Sequence, residues 1–165
     1  MHEETRLPRN GKGFILFLAI ISILSVNIIA PIIMGYQFGF SKDVYLDTLK
    51  VIPFVWICVV LLVTLVANPL VTKLNQKFTE PTDGFNARIL FTILFSVTIL
   101  SILLTIIGSW IGTRQMSLDL IRTFLYNWPR NFFIAFWVEM LIAQPAARFT
   151  MKKLHASQAR KTINV

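Results

Sequence analysis

Four long apolar stretches separated by short polar segments dominate the chain. The first runs from Phe14 to Gly35, 22 residues without a charge. The others run from Val51 to Val71, from Ile89 to Ile111, and from Trp128 to about Ala147. Each approaches or exceeds the roughly 20 residues that carry an α-helix across a ~30 Å hydrocarbon layer. A membrane barrel needs strands of about 9–11 residues alternating apolar with polar, and no such alternation is present. Helices satisfy their backbone groups internally, as a lipid interior demands. The pattern predicts an all-α integral membrane protein, a four-helix bundle. The first stretch exceeds the about 7–15 apolar residues of a secretory signal and lacks a small-residue cleavage site, so it is expected to stay as a membrane helix.

Sliding the chain by 76 positions lays residues 13–78 on residues 89–154 without a gap, and informative residues coincide. Pro53 falls on Pro129, Pro69 on Pro145, Ala67 on Ala143, Ser41 on Ser117, Asp43 on Asp119, and Ser25 on Ser101. The pattern is that of a duplicated helix hairpin: a cytoplasmic tail (1–12), a first repeat (13–78), a linker (79–88), a second repeat (89–154) and a basic tail (155–165). Because each unit holds two spans, the copies enter the membrane in the same sense. These are parallel repeats, unlike the inverted repeats of many transporters.

Ser41 with Asp43, and Ser117 with Asp119, each offer a hydroxyl N-cap and a first-turn carboxylate, marking helix starts. Leu118, Ile121 and Leu125 then form a short apolar stripe with Arg122 and Asn127 off it, as expected of an interfacial turn. Tyr45, Trp56, Tyr126 and Trp128 suit the headgroup boundary. Pro53, Pro69, Pro129 and Pro145 each remove an amide donor and loosen the preceding turn. They read either as ordinary prolines of membrane helices or as a hinge in each copy. Asn68 and Gln144 immediately precede the paired Pro69 and Pro145, where each amide is placed to bond a released carbonyl.

Glu139 lies near the middle of the fourth stretch. An ionised side chain there costs about 2.5–3.5 kcal/mol on insertion scales, so it is expected to face protein or water. Ala135, Glu139, Ala143 and Ala146 share a face at helical spacing, and small residues let helices approach closely. The carboxyl reads either as a proton-titrating or cation-binding group or as a hydrogen-bonded structural one, with Asn27, Ser96, Thr98 and Ser101 as partners in reach. Arg130, nine residues earlier, falls on roughly the opposite side of the helix. It either extends to the headgroups or pairs with Asp43 or Asp47. The first copy has Phe54 and Val63 at these two places, so both charges are peculiar to the second half.

Composition agrees with this picture: 55% of residues are hydrophobic and 15% charged, with a mean hydropathy of +0.67. A soluble domain carries about 25% charged residues. The single cysteine, Cys58, excludes an intramolecular disulfide or a cysteine cluster for zinc. His2 and His155 stand in the polar ends, which argues against a metal site, and no cofactor motif is present. A net charge of +8 invites a nucleic-acid reading, but the basic residues flank the apolar stretches and leave no soluble basic domain. They are distributed as topology signals. Arg6, Arg9 and Lys12 precede the first stretch, Lys73, Lys77 and Arg88 lie in the centre, and Arg148, Lys152, Lys153, Arg160 and Lys161 follow the fourth. That puts eleven on one side, against Lys42, Lys50, Arg114 and Arg122 on the other. Both termini and the central loop are expected in the cytoplasm, and the protein in the inner membrane.

The run Asn127-Trp128-Pro129-Arg130-Asn131-Phe132 through Ala135, followed by Leu141-Ile142-Ala143-Gln144-Pro145-Ala146-Ala147-Arg148-Phe149, resembles the DUF2798 family of bacterial membrane proteins. These are small helix-pair proteins that occur singly or as tandem copies. A weaker copy runs from Pro53 through Val66-Ala67-Asn68-Pro69-Leu70, where Phe54 and Val55 replace Arg130 and Asn131. The resemblance implies fold and location and carries no activity, catalytic residue or ligand.

With no catalytic constellation in the sequence, the protein is expected not to be an enzyme. Two functions are left open. One is a small permeation or efflux element using Glu139; the other is a membrane scaffold or regulatory partner that meets a second copy or another membrane protein through its small-residue faces. Reporter fusions at the central linker should score as cytoplasmic, and an external score would overturn the orientation.

Overall fold

The computed structural model describes residues 5–80, 82–113, 122 and 124–163. The described residues are helical apart from short connections. Helix α1 spans Gly11–Phe38. Helix α2, Lys42–Leu62, passes through a π-helical turn at Val63–Ala67 into α3, Asn68–Phe78. Helix α4 spans Phe85–Thr113. Helix α5, Phe124–Val138, passes through a second π turn at Glu139–Ala143 into α6, Gln144–Ile163. Four helical rods result, each with a segment long and apolar enough to cross a membrane.

Local chemistry sets the ends. Asn10 caps α1 by accepting from the Gly13 amide at 2.7 Å. At the other end Gly39 takes φ 93° and its amide bonds the Gly35 carbonyl at 2.9 Å. The Phe40 ring folds back onto Gly35, leaving no room for a Cβ there. Ser41 caps α2 by accepting from the Val44 amide at 3.2 Å, with Asp43 in the first turn as expected. The equivalent Ser117 and Asp119 lie outside the described residues, as do Arg114, Leu118 and Ile121. Leu125 and Tyr126, at the start of α5, are exposed.

The rods form a ring. α1 packs on α2 and on α5, the second π turn and α6; α4 packs on α5 and on α2, the first π turn and α3. Antiparallel neighbours put the chain start, the α3–α4 connection and α6 at one end, the terminal end. The α1–α2 turn lies at the other, the loop end. Thr5 and His155 meet at the terminal end, where the imidazole Nδ1 bonds the Thr5 carbonyl at 2.8 Å. Arg6 lies over the Phe85 ring at 4.7 Å. The second rod, Lys42–Phe78, has 37 residues, about 55 Å at 1.5 Å per residue and well beyond a ~30 Å layer. Its surplus is α3, with Lys73 and Lys77 exposed; α6 likewise bears exposed Lys152 and Lys153. The basic tail therefore continues the fourth rod as helix through Ile163.

Packing differs between the two halves of the bundle. Towards the terminal end Ala67, Ala143, Ala147 and Met151 are fully buried, with Val71 beside them. The buried face of the fourth rod thus runs Ala143, Ala147, Met151, His155. Ala146, expected on this face, is only half-buried. The π turn explains the shift: it inserts one residue, so the face beyond Glu139 returns after eight positions instead of seven. In the opposite half Val26, Ile52 and Val59 form the core cluster, with Ala30, Val55 and Leu104 against them. Adding bulk where packing is complete is costly. Ala147→Leu is expected to lower stability by about 1–3 kcal/mol, seen as a lower melting temperature in detergent, with a smaller loss for Ala146→Leu; equal losses would contradict the shifted face.

Candidate functional site

The two π turns begin 76 residues apart, at Val63 and at Glu139. In the first, the Asn68 amide bonds the Val63 carbonyl; in the second, the Gln144 amide bonds the Glu139 carbonyl, five residues back in each case. The next residue is a proline both times, Pro69 and Pro145. A proline has no N–H for the preceding turn, and the widened turn is where each rod absorbs it. Pro53 and Pro129 lie within continuous α-helix, as does Pro31 of α1. Single π turns inside α-helices occur frequently at functional sites, and the second one here starts at the carboxyl of the fourth apolar rod.

Glu139 accepts a hydrogen bond from the Ser25 hydroxyl of α1, Oγ to Oε1 2.6 Å. The four partners in reach by sequence reasoning are otherwise placed. Asn27 is exposed and donates to the Ile23 carbonyl at 2.8 Å. Thr98 donates to the Leu94 carbonyl, and Ser101 to the Thr98 carbonyl. Ser96 is half-buried on α4. Ser25 itself is buried. The bond ties the fourth rod to the first, between the two hairpins.

Each hairpin also has its own tie. The Trp56 indole donates to Ser22 Oγ at 2.9 Å, and the Trp128 indole donates to Ser101 Oγ at 3.0 Å. Both indoles therefore turn into the bundle, correcting their expected headgroup position: a buried indole N–H needs an acceptor, and a serine on the facing helix supplies it. The tie in the first hairpin sits one helical turn nearer the terminal end than in the second.

Above Glu139, towards the loop end, a cavity of about 130 Å³ lies between the rods. Ser25 and Glu139 stand at its inner limit and Gln37 near the end of α1. Val51, Val55 and Val59 of α2 and Leu100 and Leu104 of α4 supply apolar wall. Asn131 and Thr105 supply a polar patch, the Asn131 amide donating to Thr105 Oγ1 at 3.2 Å. Ala135 lines the cavity one turn from Glu139. Among the described residues no group of three or more His, Cys, Asp or Glu is placed to hold a metal ion.

The hairpin that carries Glu139 can be assigned. Residues 85–155 match the family model described as a domain of unknown function, DUF2798. Over these residues the chain is similar to that family, and the matched stretch is called the DUF2798 domain below. No curated protein and no solved structure matches the chain. The DUF2798 domain comprises α4, α5, the second π turn and most of α6. Ser25 and the valine wall of the cavity come from outside it.

Within the DUF2798 domain Arg130 stays away from the cavity lining. Its guanidinium lies over the Tyr36 ring at 5.3 Å and reaches the side-chain oxygens of Asn127 and Asn131 at 3.4 Å. Asp47, proposed as its partner, holds Lys50 at 2.8 Å. Cation–π contact with the end of α1 thus anchors Arg130 within the bundle's outer turn. Gln144, expected to bond a carbonyl released by the proline, accepts instead from Arg148 Nη2 at 3.3 Å; Asn68 is half-buried beside the first π turn. Leaving a buried acceptor without its donor costs about 1–3 kcal/mol. Ser25→Ala is therefore expected to destabilise the bundle by that amount in thermal unfolding, and Ser25→Thr to retain most of it; an unchanged melting temperature for Ser25→Ala would contradict the tie.

Proposed function

We propose that the protein is a multi-pass inner-membrane protein, a tandem pair of helix hairpins that serves as a small permeation or efflux element with Glu139 as its working group. Both termini and the central linker face the cytoplasm in this reading. The charge distribution supports it, since the terminal end carries most of the basic residues. The coincidence of π turn and proline at the same interval supports the tandem origin, with the DUF2798 domain as its second copy.

One observation carries the functional reading: the ionisable group of the cavity stands at its inner limit, where open space gives way to close packing. A solute entering from the loop end meets Glu139 last, and beyond it the fully buried alanines close the path. A carboxyl in that place is expensive to keep for architecture alone. It exchanges a proton, or pairs with a positive solute, where access changes sides. The widened turns at Val63 and Glu139 sit at the same boundary and are the joints at which the packed halves, α3 and α6, shift against the cavity. The lipid bilayer is the medium, and no catalytic step is required.

The test is flux. Protein reconstituted in liposomes under an imposed pH gradient should take up small organic cations, and Glu139→Gln should lower the rate at least about tenfold, about 1.4 kcal/mol or more in barrier. Equal rates for the two proteins would remove Glu139 from the mechanism, and no flux of any solute would refute permeation.

A further inference from the structure

The cavity has a size, a lining and one ionisable group, and together these select a ligand. Its volume of about 130 Å³ approaches the ~150 Å³ that admits benzene into an apolar protein interior. A guest of about five or six non-hydrogen atoms fits. The groups that share the cavity with Glu139 are Ser25 and Gln37 of α1, Ser101 and Thr105 of α4 and Asn131 of α5, while α2 contributes valines. None of them is charged or titratable. The Ser25 hydroxyl is the hydrogen-bond donor that the carboxyl has among the described residues, and no cationic side chain pairs with it. An ionised carboxylate left unpaired in such surroundings is neutralised, by a proton or by a cation.

The kind of cation follows from what else is present. A hard inorganic ion such as calcium or magnesium wants about six or more oxygen ligands. Beside Glu139 the structure supplies the Ser25 hydroxyl; the oxygens of Ser101, Asn131 and Thr105 already accept from Trp128, Arg130 and Asn131, and Gln37 stands far up α1 near its end. A cation that carries its own apolar body gains from those walls, whereas an anion is repelled.

Resting on the reading of Glu139 as the working group, we infer that the cavity binds a small aliphatic ammonium ion, its nitrogen paired with Glu139 and its hydrocarbon chain against the valines of α2 and the leucines of α4. Proton and ammonium compete for one carboxylate. When the acid form receives the ammonium, its proton leaves to solvent, and the site is neutral before and after. Binding is thus an exchange of one positive charge for another.

Butylamine, 1-butanol and butyrate present one hydrocarbon chain as cation, neutral molecule and anion, and serve as probes. Their binding to the full chain in lipid nanodiscs is measured by titration calorimetry. The expected result is butylamine tighter than 1-butanol by at least about tenfold, with butyrate silent. Butylamine binding should weaken from about pH 8 to about pH 5, where the amine keeps its charge, while 1-butanol binding stays constant. Glu139→Gln should erase the preference for the amine, and Val55→Phe, which fills the cavity without touching the carboxyl, should weaken amine and alcohol alike. Equal affinities for amine and alcohol, or amine binding unchanged in Glu139→Gln, would overturn the proposal. Should that variant not fold, the ratio and its pH dependence in the wild type decide. Amine binding without flux of any solute would sink the transport reading and leave this site standing; Glu139-dependent flux of another solute without amine binding would do the reverse.

Discussion

A carboxyl group set among apolar helices has few stable arrangements, and most of the bundle's organisation follows from the one adopted by Glu139. It must be neutralised and hydrogen-bonded, or the helix that bears it is pushed out of its apolar surroundings. The donor comes from Ser25 on α1, at 2.6 Å. That choice fixes the first and fourth rods at one relative height. It also fixes which face of the fourth rod looks inward, and so where the alanines of the packed half can lie. The cavity begins where this bond ends.

Laid side by side at the interval of 76 residues, the two hairpins use their serines differently. Ser25 and Ser101 occupy equivalent positions, yet Ser101 receives the Trp128 indole. In the first hairpin the corresponding tie is one turn displaced, between Trp56 and Ser22. Ser25 is thereby released from its own hairpin and points its proton across to the other. The residue equivalent to Glu139 is Val63, so the opposite corner needs no donor. The displaced tie and the valine at the corresponding place leave the Ser25 hydroxyl to Glu139.

The four rods, the paired prolines and the inward face of Glu139 were legible in the sequence, because each rests on a local rule: apolar length, an absent amide donor, the cost of a charge among apolar helices. The partner of Glu139 was not. Ser25 and its neighbours differ only in which turn of α1 meets the fourth rod, and that depends on where the rods end. Once α1 is known to end at Phe38, Ser25 counts to about 20 Å from the loop end, the height at which it meets Glu139. The replacement of Ala146 by Ala147 on the buried face was hidden for a related reason. Regular helical spacing cannot foresee an inserted residue, although a proline in the middle of an apolar helix is the hint that one turn departs from it. The inward turn of Trp56 and Trp128 escaped because indoles suit both a headgroup and a buried acceptor.

The widened turns have a bearing on how such chains change length. A residue lost from an ordinary stretch of helix swings everything downstream by about 100° and turns outward-facing side chains into the centre. A residue lost from Val63–Ala67 or Glu139–Ala143 restores the regular ladder and leaves both flanks aimed as before. These two short segments are where a rod can shed a residue with its orientation intact, and one of them begins at the carboxyl itself.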